Sequence, residues 1–353
     1  MSRVSVADAR AALSKPRLDF NDYLTLLSPA AAEIIEELAV KAQELTKKNF
    51  GKAILLYAPL YLCNECDNNC VYCGFSRTLK EKRLCLAPAE AAAEAKILAD
   101  KGFQHVLLVS GEKRDKVTLA YLKETISLLH HKFASISLEI FPLEESEYRE
   151  LYAAGADGVT IYQEVYNRET YAKVHPRGPK ADYDFRLLAP ERAARAGFYR
   201  INIGTLLGLG DWAEEAASLG RHAAYLKKAY WRTQIAVSFP RLKVSAAGFK
   251  PPRPVSDRQL IQLICALRIY QPTLGLVLST REPPELRDNL IPLGITQMSA
   301  ESATSPGGYS GNFAAGEQFT ISDKRPVAEV VAAIAARGYD PVFKDWDKGY
   351  ISE

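Results

Sequence analysis

Three cysteines that lie within one short segment carry the most specific chemistry in the sequence. Cys66, Cys70 and Cys73 belong to residues 61–75, YLCNECDNNCVYCGF, with three and then two residues between them. This spacing allows a single loop to present three thiolates together. A cubane 4Fe-4S cluster needs four ligands, so three cysteines leave one iron open to another molecule. The spacing therefore predicts one 4Fe-4S cluster with an open iron.

A nearby fourth cysteine leaves a zinc site as the alternative. Cys63 and Cys66 form one Cys-x2-Cys pair, and Cys70 and Cys73 form a second. Zinc sites of this type commonly separate their two pairs by about a dozen residues or more. Only three residues lie between Cys66 and Cys70. The spacing thus favours an iron-sulfur cluster over structural zinc.

The composition suits one large α/β enzyme. Of 353 residues, 48% are hydrophobic and 25% are charged, which is ordinary for a globular chain with a sizeable core. The net charge of +3 comes with scattered basic residues, and no apolar run has the length of a membrane span. The N-terminus lacks the apolar segment of a secretory signal. Clustered thiols indicate a reducing compartment and not disulfides. We therefore expect a cytoplasmic enzyme without nucleic acid or membrane partners.

From residue 53 onward, short apolar runs alternate with longer amphipathic ones, which predicts a parallel sheet covered by helices. The predicted strands are 53–59, 105–110, 135–141, 158–163, 200–207, 233–239, 274–280 and 295–299. The predicted helices are 88–101, 117–130, 144–153, 185–196, 212–228, 257–270, 285–289 and 327–337. Eight strands with intervening helices indicate a TIM-type (βα)8 barrel over residues 51–340. Active sites of such barrels lie where the strands end, and the cysteine loop follows the first strand.

The two ends of the chain are predicted to lie outside the barrel. Residues 1–50 are expected to form an N-terminal helical extension that packs against the bottom or side of the barrel. Within it, Ser28 is the predicted N-cap and Pro29 the first residue of a helix that continues over 30–45. Residues 341–353 are predicted to be a C-terminal segment anchored by aromatic residues.

Polar side chains appear at the ends of the otherwise apolar strands. Any one of them is explained equally well by a helix cap or a solvated loop. Together they predict a functional rim at the C-terminal mouth of the barrel. They include Ser110, Glu112, Glu139, Gln163, Glu164, Asn202, Ser238, Arg241, Ser279, Arg281, Ser299 and Glu301.

The cysteine loop resembles the signature of radical S-adenosylmethionine (SAM) enzymes, because Tyr72 directly precedes the last cysteine of the Cys-x3-Cys-x2-Cys run. The resemblance implies that SAM chelates the open iron through its amino and carboxylate groups. It also implies that an electron, delivered by a protein such as flavodoxin or ferredoxin, cleaves SAM to a 5'-deoxyadenosyl radical. Cys63 is then not a cluster ligand.

Residues 161–186 narrow the resemblance to the branch that contains the tyrosine lyases of thiamine biosynthesis and the hydrogenase-cofactor maturases. The matching motifs are Tyr-Gln-Glu-Val-Tyr at 162–166, His-Pro-Arg-Gly-Pro-Lys at 175–180, and Arg186. A carboxylate and a guanidinium suit the ammonium and carboxylate of SAM, so Glu164 and Arg186 are the candidate pair. A salt bridge between these two alone is the other interpretation.

Three further residues are predicted to contribute to cofactor binding. Tyr72 is expected to contact the adenine or the substrate ring. Gln163 belongs to the motif at 162–166, and Gly204 would let the adenosine approach the fifth strand closely.

Similarity to the tyrosine lyases extends to 26–62, 238–242, 278–282, 299–302, 306–309 and 342–347. It implies that Arg281 holds the carboxylate of the substrate, a task that suits a guanidinium fork. Ser279 and Ser299 are the other catalytic candidates at this rim. The implied reaction cleaves L-tyrosine between Cα and Cβ to 2-iminoacetate and p-cresol, and thiazole synthase is the expected recipient of the imine.

Several positions depart from the lyase pattern and keep other substrates open. Cys63, Leu79, Val165 and the segment 243–245 replace residues that are usual in these lyases. Cleavage of another aromatic amino acid, such as tryptophan, is therefore one alternative, and a non-catalytic protein that holds zinc or an inert cluster is another. The maturase interpretation is disfavoured, because only Cys85 and Cys265 follow Cys73.

Overall fold

Eight parallel strands close into a barrel. The computed structural model describes residues 4–243, 248–311 and 315–344. The barrel strands are β1 (Ala53–Cys63), β2 (His105–Ser110), β3 (Ser135–Glu139), β4 (Gly158–Glu164), β5 (Arg200–Thr205), β6 (Gln234–Ser238), β7 (Gly275–Leu278) and β8 (Gln297–Ser299). Each strand pairs in parallel with the next, and β1 pairs with both β8 and β2, which closes the ring. The predicted (βα)8 barrel is confirmed.

Helices and one additional strand surround the barrel. The helices that follow β1 are α5 (Pro88–Asp100), α6 (Leu119–Leu129), α7 (Glu145–Ala153), α8 (Arg168–Val174), α9 (Tyr183–Leu187), α10 (Ala189–Arg195), α11 (Trp212–Ala229), α12 (Asp257–Tyr270), α13 (Pro284–Leu290) and α14 (Val327–Ala336). The additional strand β9 (Asp340–Val342) pairs with the first three residues of β1. The single helix predicted over 185–196 is wrong. It is divided at Leu188, because Pro190 lies at the start of α10, where proline is favoured in a new helix.

The N-terminal extension packs on the outer side of the barrel. Its helices are α1 (Val6–Ser14), α2 (Phe20–Leu26), α3 (Pro29–Ala32) and α4 (Ile35–Phe50). Ser28 is the N-cap of α3, as predicted, and accepts a hydrogen bond from the N–H of Ala31. The continuous helix predicted over 30–45 is wrong, because α3 ends before α4 begins. Tyr23 stacks on Tyr270 of α12 with ring centroids 4.6 Å apart, which fixes the extension against the barrel helices.

At the C-terminal end, Phe343 packs edge-to-face against Phe103, with 5.7 Å between the ring centroids. Trp346 and Tyr350, the other aromatic residues of the predicted terminal segment, lie outside the described residues, as do positions 244 and 245 of the departing segment. Within 4–243, 248–311 and 315–344, no helix combines the length and the hydrophobicity needed to cross a bilayer.

A fully buried ion pair connects the ends of β7 and β8. The guanidinium of Arg287 pairs with Asp323 and also donates to the backbone carbonyl of Ser299 at the end of β8. The N–H of Asp323 donates to the carbonyl of Thr280, two residues beyond β7, over 3.1 Å. These contacts hold in place two strand ends that carry predicted site residues.

Replacing Arg287 by methionine is expected to lower the thermal unfolding midpoint by about 5 °C or more. The change leaves the buried Asp323 carboxylate with Arg325 as its remaining cation and removes the donor to the Ser299 carbonyl, and losing a buried charged hydrogen bond costs about 1.5–3 kcal/mol. Circular dichroism at increasing temperature measures the effect. Arg10→Met is the matched control, because its pair with Glu37 is exposed to solvent and contributes little to stability. Equal midpoints for the two variants would contradict the structural role of the buried pair.

Candidate active site

The loop after β1 holds Cys66, Cys70 and Cys73 as free cysteines. Backbone N–H groups point at two of the sulfurs: Glu112 donates to Cys66 Sγ and Phe75 donates to Cys73 Sγ, each over 3.4 Å. Such N–H donors are characteristic partners of cluster thiolates and influence the cluster potential. Three free thiols with this donor set fit the predicted 4Fe-4S cluster.

Cys63 does not join this group. It forms a disulfide with Cys85, although the two lie 22 positions apart in sequence. The prediction that the thiols avoid disulfides is wrong at this site. The reason lies in the fold, because Leu86 N–H donates to the Leu62 carbonyl over 2.8 Å and brings the chain back beside the end of β1. A four-cysteine zinc site would need the thiol that this disulfide occupies.

Burial raises the pKa of the Cys70 thiol to about 12 and that of Cys73 to about 11. The positive charge of Lys180 opposes both shifts. Without metal these thiols are therefore protonated near neutral pH, and metal binding must release their protons. In the part of the chain that the structure describes, no three His, Cys, Asp or Glu side chains are arranged around a single metal ion.

The His-Pro-Arg-Gly-Pro-Lys segment, residues 175–180, packs directly on the cysteine loop. Gly178 has a φ of 99°, and a Cβ at this position would lie 2.4 Å from Oδ1 of Asn68. Only glycine permits this approach. The same Asn68 oxygen accepts a hydrogen bond from the N–H of Lys180 over 2.7 Å, and the Asn69 N–H donates to the Arg177 carbonyl over 3.1 Å. The motif therefore supports the loop that carries the cysteines.

One carboxylate and two cations form a charged group at the end of β4. Glu164 has a positive φ of 70° and follows a bulge in the pairing of β4 with β5. Its Oε1 lies 2.7 Å from Lys180 Nζ and 3.9 Å from a terminal nitrogen of Arg186. Burial raises the pKa of Glu164, but Lys180 and Arg186 outweigh it and hold that pKa below its ordinary value. Lys180 is thus the closer partner, and the sequence analysis did not assign it a role.

Arg186 is oriented mainly by the backbone. Its Nε donates to the carbonyl of Tyr162 over 2.6 Å. The interpretation in which Glu164 and Arg186 form a salt bridge with each other alone is wrong, because Lys180 shares the carboxylate.

Tyr72, which belongs to the cysteine loop, contacts His175. Its hydroxyl is 2.7 Å from Nε2 of His175, whose Nδ1 faces the carbonyl of Tyr171 at 3.0 Å. We infer that Nδ1 carries the proton, so that Tyr72 donates to Nε2. Burial, with Lys180 and Arg186, lowers the pKa of His175 to about 2, so the ring is neutral.

Gln163 and Gly204 lie outside the cavity that the other predicted residues share. Gln163 points toward the backbone carbonyl of Tyr183, with 3.5 Å between the atoms. A Cβ at Gly204 would lie 2.6 Å from the ring of Tyr162. This glycine therefore makes room for the Tyr162 ring in the present structure.

A cavity at the C-terminal mouth of the barrel connects the cysteine loop with the ends of β7 and β8. Of the predicted site residues, it is lined by Tyr72, Cys73, Glu164, Ser279, Arg281 and Ser299. Cys66, Cys70 and Arg186 are not part of this lining. A larger cavity opens at the opposite mouth, and its described lining includes Asn202 in the middle of β5. The prediction that Asn202 belongs to the C-terminal rim is therefore wrong.

Arg281 presents a guanidinium without an anionic partner. Among the described residues no carboxylate pairs with it, and its only recorded side-chain contact is the ring of Phe319, whose centroid lies 3.5 Å away. The neighbouring Glu282 is instead engaged by Arg241 over 2.9 Å. Ser299 Oγ accepts from the N–H of Thr280 over 3.1 Å, which keeps that serine beside Arg281. An anionic ligand group would complement the charge of Arg281.

A segment far along the chain covers the cavity. Tyr61 donates its hydroxyl hydrogen to Oε1 of Gln318 over 2.6 Å, and the N–H of Gly74 donates to the Gln318 carbonyl over 3.0 Å. Together with Phe319, these contacts place residues 317–319 between the cysteine loop and Arg281. The sequence analysis missed Gln318 and Phe319, and no motif marks them.

Family models and curated relatives agree with this geometry. The model of the Radical SAM superfamily matches residues 60–220, and that of the Biotin and Thiamin Synthesis associated domain matches residues 238–340. The 2-iminoacetate synthase of Escherichia coli (strain K12) is 44% identical, with 97% of this chain and 91% of that protein covered. The 2-iminoacetate synthase of Salmonella typhimurium (strain LT2) is 41% identical over the same shares.

Solved structures show the same barrel. The crystal structure of HydG, a maturase of the FeFe-hydrogenase, superposes with a TM-score of 0.92 at 30% identity and covers 97% of this chain and 77% of that one. HydG from Carboxydothermus hydrogenoformans gives 0.88 at 37% identity, with 96% and 79% covered. A radical SAM barrel implies a 4Fe-4S cluster and SAM. With 97% of its length aligned to curated relatives, the chain belongs to the 2-iminoacetate synthase family of radical SAM lyases.

Proposed function

We propose that this radical SAM lyase cleaves the Cα–Cβ bond of L-tyrosine and releases 2-iminoacetate and p-cresol. The observation that carries the proposal is the cavity that joins the cysteine loop to the unpaired guanidinium of Arg281. The relatives that share nearly the whole chain are 2-iminoacetate synthases, which supports the same substrate.

Cys66, Cys70 and Cys73 would hold the 4Fe-4S cluster, and the charged group at the end of β4 would hold SAM. When bound, the cluster and SAM together supply the radical that removes a hydrogen atom from the substrate. Glu164 offers a carboxylate to the ammonium of SAM, and Lys180 and Arg186 offer two cations to its carboxylate. Tyr72 lines the cavity beside these charges and offers its ring to the adenine or the substrate.

At the other end of the cavity, Arg281 would bind the substrate carboxylate as a fork, with the hydroxyls of Ser279 and Ser299 beside it. Tyr57, Tyr162 and other aromatic side chains line the intervening wall and suit a phenol ring. Residues 317–319 cover the site and exclude water, and such positioning and exclusion are what a protein contributes when a cofactor supplies the reactive species.

The reaction requires loss of one hydrogen atom from the substrate amino group, followed by cleavage between Cα and Cβ. The amino-acid fragment leaves as 2-iminoacetate, and the 4-hydroxybenzyl fragment takes up one electron and one proton to become p-cresol. Because the imine hydrolyses readily in water, we infer that a partner consumes it directly. Thiazole synthase of thiamine biosynthesis is the partner that the family resemblance implies.

An anaerobic assay tests the proposed function. The enzyme is reconstituted with iron and sulfide and supplied with SAM, a reductant and L-tyrosine, and the products are measured by mass spectrometry. We expect 5'-deoxyadenosine and p-cresol together. If 5'-deoxyadenosine forms with tryptophan but p-cresol never forms with tyrosine, the substrate assignment is wrong. If a cluster-loaded enzyme yields neither product, the catalytic assignment is wrong.

The electron for the cluster must enter from outside, and an exposed basic face surrounds the cysteine loop. Arg77 follows the loop and its N–H donates to the Asn68 carbonyl. Lys173 precedes the segment that packs on the loop, and Arg177 belongs to that segment. The three side chains are exposed and have no carboxylate partner among the described residues. Opposite charge guides encounter, so this face suits an acidic electron-transfer protein such as flavodoxin or ferredoxin.

The double variant Arg77→Glu/Arg177→Glu is expected to slow p-cresol formation about tenfold when flavodoxin and its reductase supply electrons. Dithionite reaches the cluster without docking, so turnover with dithionite should not change. The matched control is Lys47→Glu/Lys48→Glu, an exposed pair at the end of α4 that lies toward the opposite mouth of the barrel. A loss of equal size with both reductants would contradict docking at this face.

A further inference from the structure

The carboxylate of Glu139 faces the active-site cavity without a partner. Glu139 is the last residue of β3 and lies beside Val109 of β2 in the sheet. Among the described residues, no hydrogen-bond donor and no cation contacts its side-chain oxygens. The other carboxylates near this mouth are engaged, as Glu164 is with Lys180 and Glu282 with Arg241. Glu139 thus differs from these carboxylates, because its side chain has no partner among the described residues.

An unpaired carboxylate in a closed cavity is costly, because burial disfavours its charged form. Burial and the charge of Glu164 raise the pKa of Glu139 to about 7, while Arg281, Arg186 and Lys180 act in the opposite direction. The carboxyl group of Glu139 is therefore only partly ionised near neutral pH. A bound cation beside Glu139 would restore its full charge, which marks the position as suited to a cationic ligand group.

Among the described residues that line this cavity, Arg281 is a cation and Glu139 an anion for which no ion-pair partner is present. Arg281 lies beyond the end of β7, and Glu139 ends β3 on another part of the ring; both line the cavity. An α-amino acid carries a carboxylate and an ammonium group on one carbon atom. The two unpaired protein charges therefore complement the two charges of a zwitterion, which neither Arg281 nor Glu139 could do alone.

We propose that Glu139 binds the ammonium group of the amino-acid substrate while Arg281 binds the carboxylate. This inference rests on the proposed function and adds the group that orients the substrate nitrogen. Two charged contacts on one Cα fix the direction of both the amino group and the side chain. Glu164 does not serve this ammonium, because the proposed function assigns its carboxylate to the ammonium of SAM.

Ligand binding to the reconstituted enzyme with SAM and without reductant tests the inference. Isothermal titration calorimetry compares L-tyrosine with 3-(4-hydroxyphenyl)propanoate, which lacks the amino group. Glu139→Gln should weaken tyrosine binding at least about 30-fold, since hydrogen bonds to charged groups are strong. Binding of the analogue should stay equal or become tighter. Glu285→Gln, an exposed change on α13, is the control and should alter neither ligand.

The inference is overturned if Glu139→Gln leaves tyrosine affinity unchanged, or if it weakens the two ligands equally. Iron content and SAM affinity of each variant show whether the site has stayed intact. If the Glu139→Gln variant has lost iron or SAM affinity, the inference is tested on the wild-type enzyme instead. The quantity measured there is the affinity for each ligand as a function of pH.

In the wild-type enzyme, tyrosine affinity should rise as the pH increases through about 7, because only the ionised Glu139 attracts the ammonium group. The analogue should not show this rise. Titration of the other ionisable groups that face Glu139 would change the affinity of tyrosine and of the analogue alike. If the affinity of both ligands rises with pH, the inference is therefore overturned. These groups are Tyr57, Tyr61, Tyr162, Glu164, Lys180, Arg186 and Arg281.

Failure of the inference and failure of the proposed function give different results. If the wild-type enzyme forms p-cresol but Glu139→Gln binds tyrosine normally, only the inference fails. If the wild-type enzyme neither binds tyrosine nor forms p-cresol, the proposed function fails as well.

Discussion

A Cys70→Ala variant is expected to lose the 4Fe-4S cluster and with it all formation of 5'-deoxyadenosine and p-cresol. The assigned cluster has three protein ligands, so removing one leaves two irons without a cysteine. Among the described residues the remaining free cysteine outside the loop is Cys265, which is buried within α12 and is no substitute. Iron content after anaerobic reconstitution should fall from about four per chain to less than about one.

The matched control is the double variant Cys63→Ser/Cys85→Ser. These two cysteines are bonded to each other, so replacing both leaves no unpaired thiol and does not touch the three assigned ligands. Iron content and the visible absorbance of the cluster should equal those of the wild type. If the double variant loses iron as completely as Cys70→Ala does, the three-ligand assignment is wrong and a role for Cys63 in metal binding returns.

The barrel was predictable because its strands are short apolar runs that are bounded by polar residues. All eight occur where the hydrophobic pattern predicts them, and their ends differ by a few residues. The elements that were missed lack this signal. The seven residues of α8 are too few to show a helical period, and β9 has three residues and contains Pro341, which is unfavourable within a sheet.

The site was predictable where motifs lie next to a strand end and unpredictable where distant segments meet. Lys180 belongs to a recognised motif, but its contact with Glu164 depends on the path of the intervening chain through α8. Phe319 reaches Arg281 from a long connection that has no periodic pattern. Glu139 was visible as a polar residue at the rim, but its lack of a partner could be recognised only when the neighbouring charges were in place.

Arg281→Gln is expected to weaken tyrosine binding about 100-fold or more, because truncating one member of a buried charge pair costs about 2–5 kcal/mol. Arg281→Lys keeps the charge but loses the planar fork, so its loss should be smaller, about tenfold. Calorimetry on the cluster-loaded enzyme with SAM measures both. Tyramine, which lacks the carboxylate, is the control ligand, and its affinity should not fall in either variant.

The thermal stability of the Arg281→Gln variant shows whether Arg281 binds the substrate or supports the fold. The guanidinium of Arg281 has no carboxylate partner among the described residues, whereas the buried Arg287 is paired with Asp323. Losing the contact between Arg281 and Phe319 should cost at most about 1–2 kcal/mol of folding free energy. Arg281→Gln should therefore unfold close to the wild-type temperature while binding tyrosine poorly. If tyrosine and tyramine lose affinity equally, Arg281 shapes the cavity without binding the carboxylate, and the charge complementarity proposed for Glu139 loses its counterpart.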